Sequence, residues 1–316
     1  MSDGNFHSGE ALGARLGVSR MAVWKHIDAL RDLGVPVASV RGKGYCLPAA
    51  TELLDAAAIL RQVSAGTRAG LGPVETFLEI DSTSSWLRRQ ALAGAPSGSV
   101  CLAEIQQAGR GRRGRGWVSP FAANLYLSLL WRSSAGVAAL GGLSLVAGIA
   151  VLRCLQAHGV PAAALKWPND LLVDGAKLAG VLIDVVGEST GPCAVIIGVG
   201  LNVAMPRDAA ADIDQPWTDL RTLVGAQGLS RNRLAAGLLE QLLPAIRQFE
   251  AAGMQAFMEE WRRNDVAHGR LVDLHLNNEV ISGTACGIDA GGALLLETDD
   301  GRKRFATGEV SLRMAP

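Results

Sequence analysis

Residues Gln106 to Trp117, reading Gln-Gln-Ala-Gly-Arg-Gly-Arg-Arg-Gly-Arg-Gly-Trp, carry the strongest chemical signal in this chain of 316 residues. Four glycines and four arginines fill positions 109–116, directly after a strand-like run from Ser99 to Ile105. Glycine lets a backbone approach a ligand closely and adopt positive φ. Arginine supplies permanent charge and forked donors that match phosphate and carboxylate. No Asp or Glu occurs between Glu104 and Asp170, so the loop lies in a segment free of carboxylates. The chemistry implied is the holding of an anion.

Three uses of such a loop compete. Gly109, Gly111 and Gly114 satisfy the dinucleotide spacing G-x-G-x-x-G, but that fingerprint needs a helix opening at the loop and an acid about 20 residues on. Here Gly116 to Pro120 breaks any helix, and the acid is absent. A P-loop fails because Arg115-Gly116 stands where Lys-Ser/Thr is required. An RNA-binding arginine-glycine tract is usually long and of low complexity, whereas this one is short and lies between core strands.

Lysine is scarce, five residues against 25 arginines, which makes each survivor informative. Two of them sit in Lys166-Trp167-Pro168-Asn169-Asp170 and Gly175-Ala176-Lys177-Leu178-Ala179-Gly180. Lys177, at a tight turn before an apolar strand, can present a point charge into a pocket, or can be a solvated hairpin lysine. Asn202, after the glycine-bearing strand Ile196 to Gly200, can serve a ligand or simply end the strand.

The elements that must hold these residues follow from periodicity and punctuation. Ser8 can cap a helix from Gly9 to Leu16, and Ser19 a second from Arg20 to Leu33, around a turn at Gly17-Val18. Val23, Ile27 and Leu30 give the second helix an apolar stripe. Two short strand-like runs follow within 35–48, joined by the basic turn Arg41-Gly42-Lys43-Gly44. Helix-turn-helix plus basic hairpin is a winged helix, a module that reads DNA. A linker helix around Thr51 to Arg61 precedes alternating strands (Val74 to Ile80, Ser99 to Ile105, Asn124 to Trp131, Asp170 to Asp174, Leu178 to Val186, Ala194 to Val199) and helices (Ser82 to Leu92, Gly136 to His158). Short turns between several strands predict a mixed sheet in an α+β layout. Ser230 can cap a helix to Phe249, and a second runs from about Gly253 to Arg262. From Gly269, β runs separated at Asn277-Asn278, Gly291-Gly292 and Asp300-Gly301 predict hairpins in a small barrel.

Composition narrows the class. The formal net charge is zero and the pI about 7.0, so no global field draws the chain to nucleic acid and any such contact is local. Five dispersed cysteines, without C-x-x-C spacing, fit neither a disulfide framework nor a zinc site, and point to a reducing cytoplasm. Ser133 to Leu152 is uncharged and about 20 residues long, enough to span a bilayer. Chemically matched motifs flank it on both sides, so a buried helix is expected and no membrane partner.

The set Gln106 to Trp117, Lys166 to Asp170, Lys177 to Gly180 and Gly198 to Asn202 closely resembles the biotin protein ligases. With the N-terminal module, the chain resembles the bifunctional form that also represses the biotin operon, over about Phe6 to Arg313. The resemblance implies a central mixed-sheet domain of the biotin/lipoate ligase type and a C-terminal SH3-like β-barrel. Expected boundaries are a winged helix-turn-helix at 1–50, a linker at 51–73, the catalytic domain at 74–268 and the barrel at 269–316. It implies ATP-dependent formation of biotinyl-adenylate, then transfer of biotin to a lysine of a biotin carboxyl carrier protein, an acetyl-CoA carboxylase subunit. Catalysis would fall to Lys177, Arg112 and Arg110. Ser82, Thr83, Ser84, Gln106, Gly109, Gly111 and Gly180 would line the biotin pocket with those three. Arg115, Trp117, Asn169, Asn202 and Trp217 would serve the nucleotide, together with Arg112 and Lys177. Magnesium would accompany the ATP phosphates, with no metal site of the protein's own. Ser19, Arg20, Lys25, Arg41 and Lys43 would contact operator DNA, bound by an adenylate-loaded homodimer that pairs through a sheet edge near Leu178 to Val186 and the polar turn 187–191.

Two departures from the family pattern are visible. Gly116 stands where some relatives carry lysine. Only five residues precede Phe6, so the winged helix is expected with its first helix missing or shortened. Rival readings are a ligase without operator binding, a regulator that senses biotin without catalysis, and a lipoate-type ligase.

Overall fold

The computed structural model describes residues 3–47, 51–187, 191–211, 213–276, 279–306 and 310–314. The expected turn at Asn277-Asn278, the centre of the polar turn at 188–190 and the end of the first module at 48–50 lie outside these residues.

The N-terminal module comprises α1 (Gly9–Leu16), α2 (Arg20–Asp32) and the ribbon β1 (Ala38–Val40) and β2 (Gly44–Cys46). Both expected caps form: Ser8 Oγ accepts from Ala11 N at 3.0 Å and Ser19 Oγ from Ala22 N at 3.2 Å. Each satisfies one backbone donor that the first helical turn leaves unpaired. The stripe Val23 and Ile27 is buried with Leu12, Val35, Val37 and Leu47, and Phe121 of the central domain packs against this small core.

The next helices are α3 (Ala56–Gln62) and α4 (Ala65–Arg68). The segment expected as a linker is packed rather than free: Leu54, Ile59 and Val63 belong to the main core. Glu52 accepts from Ser230 Oγ at 2.6 Å and from Arg231 N at 2.5 Å, which ties the segment to the helix that begins there.

The central domain carries β3 (Val74–Ile80), α5 (Thr83–Leu92), β4 (Val100–Gln106), β5 (Leu125–Ser133), α6 (Leu143–Ala157), β6 (Ala164–Lys166), β7 (Asp170–Val173), β8 (Ala176–Gly187) and β9 (Cys193–Leu201), then α7 (Leu220–Val224), α8 (Arg231–Ala252) and α9 (Met258–Asn264). Its strands form one seven-stranded sheet in the order β3-β4-β5-β9-β8-β7-β6, parallel only at β3–β4. Side chains alternate across a strand, and here the two faces have different tasks. Leu125, Leu127 and Leu129 of β5 and Val195, Ile197 and Val199 of β9 join the core shared with α6 and α8. On the opposite face α5 covers Cys101, Leu130, Ala194 and Ile196 through Leu87 and Ala91, with Phe77, Ile80 and Val186 packed at the margin. Beyond α5 that face continues with Ser128, Gly198 and Gly200, residues too small to fill it.

The expected helix from Gly136 to His158 is broken. Val137–Leu140 is a single 3₁₀ turn, Gly142 takes φ 84°, and the α-helix starts at Leu143. A Cβ at Gly142 would press on Met254, and the backbone of Gly292 approaches it closely, so packing required the break. α6 is apolar all round because the sheet and α8 bury it, not because it meets lipid: Leu145 to Leu152 are all buried. The helix expected from Gly253 is likewise a 3₁₀ turn, Met254–Phe257, followed by α9. Strand β6, three residues long, has no signal in the sequence.

The C-terminal module is a five-stranded antiparallel sheet of β10 (Leu271–Leu276), β11 (Glu279–Ile288), β12 (Leu294–Thr298), β13 (Gly301–Phe305) and β14 (Val310–Met314), in the order β13-β12-β11-β10-β14. Val272, Leu274, Leu294 and Leu296 belong to the main core. Trp167 of the Lys-Trp-Pro-Asn-Asp motif donates to Gly292 O at 3.1 Å, fastening this module to the motif.

Candidate active site

The small residues on the α5 face leave a cavity of about 310 Å³, within the range of small-ligand pockets. Its floor is glycine. Gly180 and Gly200 are cross-strand partners on β8 and β9, and the indole of Trp117 lies over them. A Cβ at Gly200 would collide with that ring, and one at Gly198 would meet Ser84 Oγ at 2.6 Å. This is why the strand alternates glycine on one face with valine and isoleucine on the other.

One wall is hydroxylic. Ser82, Thr83 and Ser84, at the start of α5, are buried. Thr83 Oγ1 and Ser84 Oγ lie 2.8 and 3.0 Å from Ser128 Oγ. Gln106 Oε1 accepts from Thr83 N at 2.9 Å, while its amide donates to Ser119 Oγ at 3.0 Å, which in turn donates to Trp117 O at 2.9 Å. This chain links the helix start to the segment that follows the glycine-arginine loop.

The loop itself closes the cavity. It connects β4 to β5 with no helix opening from it, as the breaker at Gly116 to Pro120 requires. Gly111 N donates to Arg115 O and Trp117 N to Gly109 O, each at 2.8 Å, and Arg113 takes φ 59° within the tight turn. Arg110 pairs with Asp184 of β8 at 2.5 Å. Arg112 donates to Asn169 Oδ1 at 3.3 Å, and burial lowers the pKa of its guanidinium.

The cation expected at a turn lies on a strand. Lys177 is the second residue of β8, opposite a bulge between Leu171 and Leu172. Its amide donates to Pro216 O at 2.9 Å and its carbonyl accepts from Thr218 N at 3.0 Å, which brings Trp217 alongside the cavity. Its ammonium lies 2.8 Å from Asp170 Oδ1 and 5.4 Å from the Trp117 ring centroid. Lys166 pairs across β6–β7 with Asp170, and burial is the main cause of its lowered pKa, with Asp170 opposing. Asn169 and Asn202 act as brackets here: Asn169 donates to Val181 O at 2.8 Å, and Asn202 to Thr218 O at 3.1 Å. Among the described residues no group of three or more His, Cys, Asp or Glu side chains gathers to cage a metal. Asp170 and Asp214 are the acidic residues lining the cavity, too few to hold a cation without ligand oxygens.

All but one of the expected pocket residues line this cavity: Ser82, Thr83, Ser84, Gln106, Arg110, Gly111, Arg112, Arg115, Trp117, Asn169, Lys177, Gly180, Asn202 and Trp217. Gly109 is the exception. It lines a groove on the outer side of the loop with Arg113 and Asp184, because the Trp117 backbone fills the space on its inner side. Asp170, Asp184 and Ser128 were given no role in the sequence reading. Ser128 and Asp184 are the polar interruptions of apolar strands, a usable signal; the pairing of Asp170 with Lys177 depends on strand register. The edge expected along Leu178 to Val186 is partly paired: β7 pairs with β8 as far as Gly180, and from Leu182 to Gly187 no strand pairs with that side of β8 among the described residues. The DNA-contact candidates lie apart, in the N-terminal module. Arg20, Lys25, Arg41 and Lys43 are exposed there, while Ser19 is engaged as the α2 cap.

Comparison with known proteins agrees with this architecture. Residues 77–202 match the Biotin/lipoate A/B protein ligase family, 1–46 an HTH domain and 267–313 the Biotin protein ligase C terminal domain. The chain is 45% identical to the bifunctional ligase/repressor BirA of Escherichia coli, over 100% of this chain and 95% of that protein. It is 36% identical to the biotin–[acetyl-CoA-carboxylase] ligase of Mycobacterium tuberculosis, over 79% of this chain and 93% of that one. The biotin protein ligase of Aquifex aeolicus, solved in complex with biotin and ATP, superposes with a TM-score of 0.66 at 27% identity, covering 78% of this chain and 100% of that one. By fold, site and similarity along its whole length, the chain belongs to the biotin protein ligase family, with the domain order of the family's bifunctional ligase/repressor members.

Proposed function

We propose that this cavity activates biotin with ATP and hands it to a lysine of a biotin carboxyl carrier protein. The observation that carries the reading is the meeting of two chemistries in one cavity: a buried hydroxyl wall on a glycine floor, and a cationic rim of Arg110, Arg112, Arg115 and Lys177. Ser82, Thr83, Ser84 and Gln106 offer donors and acceptors suited to the ureido ring, and the cationic rim suits the carboxylate and phosphates. In the first step a biotin carboxylate oxygen bonds to the α-phosphorus and the bond to pyrophosphate breaks. In the second, the carrier amine attacks the acyl carbon, an amide forms, and AMP leaves as the amine loses its proton. Both steps build negative charge on phosphoryl or acyl oxygens, which fixed cations stabilise without reorganising. Lys177 is the principal such group, held by backbone bonds on both sides; Arg112, positioned by Asn169, is the second. Trp117 and Trp217 supply flat surfaces for adenine. Magnesium would accompany the triphosphate, bound chiefly by phosphate oxygens, with Asp170 and Asp214 the carboxylates that line the cavity.

The same chain acts as a repressor when the adenylate is bound. Among the described residues no strand pairs with the β7 side of β8 from Leu182 to Gly187, which supports pairing of two copies by strand addition, and two winged helices then present Arg20, Lys25, Arg41 and Lys43 to a palindromic operator. All five cysteines are free thiols, which supports work in the cytoplasm. Pyrophosphate release that requires both biotin and ATP tests the enzyme reading; release without biotin, or none with both, contradicts it.

A further inference from the structure

The recognition face of the DNA module is not simply basic. With helical residues about 100° apart, Arg20, Trp24, Asp28, Met21 and Lys25 of α2 fall within an arc of about 140° that starts at Arg20, beside the buried Ile27, and runs away from the stripe of Val23 and Ile27. Met21 is 65% and Trp24 46% exposed. Large apolar side chains exposed together on a small module mark a contact surface. The charge around them names the partner: Arg20 and Lys25 flank them on α2, and Arg41 and Lys43 extend the cationic rim onto the ribbon, all exposed.

We propose that Trp24 and Met21 are specificity-determining residues that read the C5-methyl groups of thymines in the operator's major groove. This rests on the operator-binding reading above. The major groove admits an α-helix, and the thymine methyl is its one apolar base-edge feature. Cations at either end of the arc position the helix on phosphates without reading sequence. An indole and a thioether have no strong acceptor and no forked donors, so they cannot reproduce the arginine–guanine or asparagine–adenine pairings. Asp28, on the same arc, can accept only from the amino group of a cytosine or an adenine and disfavours phosphate. The half-site should therefore hold thymine opposite Trp24.

The test uses the full-length adenylate-loaded protein and a pool of random-centre DNA duplexes, from which bound sequences are enriched. The enriched half-site is then synthesised with thymine or with uracil, which lacks only the methyl. Uracil at the thymine opposite Trp24 should weaken binding about fourfold per half-site, the effect of burying one methyl-sized group, and about 15-fold on the palindrome. Trp24→Ala should bind thymine and uracil duplexes alike while keeping the wild-type dependence on salt. Equal wild-type affinity for both duplexes would overturn the inference and leave operator binding intact. A Trp24→Ala protein that changed dimerisation but kept the thymine preference would also overturn it, assigning the face to a second copy. Failure of the wild type to enrich any sequence would overturn the operator reading and this inference together.

Discussion

Truncating Lys177 to alanine removes the one ammonium that the strands aim into the cavity. Its side chain is 15% exposed, and Asp170 and the Trp117 ring fix its head. A unit charge about 4 Å from developing charge, at an effective dielectric near 20, contributes about 4 kcal/mol. Loss of one preorganised stabiliser typically costs about 2.7–4 kcal/mol, or 10²–10³ in rate. Truncation also leaves Asp170 facing the phosphates without its partner, which pushes the effect towards the upper end. Rapid-quench measurement of adenylate formation in a single turnover, at saturating biotin and ATP, should therefore show a loss of 10²–10³. Lys177→Arg keeps the charge but not the compact head, and should recover part of the rate. Thermal unfolding of the variant should fall below wild type, because the pair is only 15% and 18% exposed and truncation leaves the Asp170 carboxylate without its ammonium; Lys177→Arg should keep Tm closer to wild type. A Lys177→Ala rate within threefold of wild type would refute the reasoning.

Arg112→Gly should loosen the loop by removing its bond to Asn169; adenylate should then escape faster through a desalting membrane and acylate exposed lysines indiscriminately, and wild-type retention would count against this. Gly200→Ala should displace the Trp117 indole from its floor and raise the KM for ATP while biotin binding, measured by calorimetry, changes little; an unchanged KM would remove Trp117 from the nucleotide site. Asp265 is half-buried with its Oδ2 enclosed, and desolvation raises its carboxyl pKa above its ordinary 3.8, against the opposing pull of Ala267 N, Trp261 and His268. A raised carboxylate pKa disfavours the charged form in the fold, so the cost is absent at low pH and grows as pH climbs past 3.8. Asp265→Asn should accordingly raise Tm at pH 7, with the gain vanishing towards pH 4; a gain independent of pH would show that charge is not the cause.

Much of this architecture was legible in the residues because local signals and tertiary demands agreed. Ser8, Ser19 and Ser230 all cap the helices that they are expected to cap, and strand β3 has the bounds its pattern indicates. The anion-holding character of the loop is legible in its alternation of glycine and arginine, although the structure shows that Gly109, Gly198 and Gly200 also answer to close packing against Trp117 and Ser84. What stayed hidden depends on distant partners. The break at Gly141-Gly142 answers to Met254 and Gly292, more than a hundred residues later. Lys177 is expected in a turn before a strand starting at Leu178; the strand begins two residues earlier, at Ala176, and the backbone of Pro216 and Thr218 holds Lys177 there. Gly109 was read into the pocket from its motif, whereas the inner space is filled by Trp117.

The central claim is that one cavity both makes the adenylate and delivers biotin from it to a carrier lysine. Intact mass measurement of an isolated biotin carboxyl carrier domain, after incubation with this protein, biotin, ATP and magnesium, tests it directly. The account predicts a single added biotin on one lysine, requiring both small molecules and falling with Lys177→Ala in step with adenylation. A carrier left at its original mass, while lipoate in place of biotin is transferred, would contradict it.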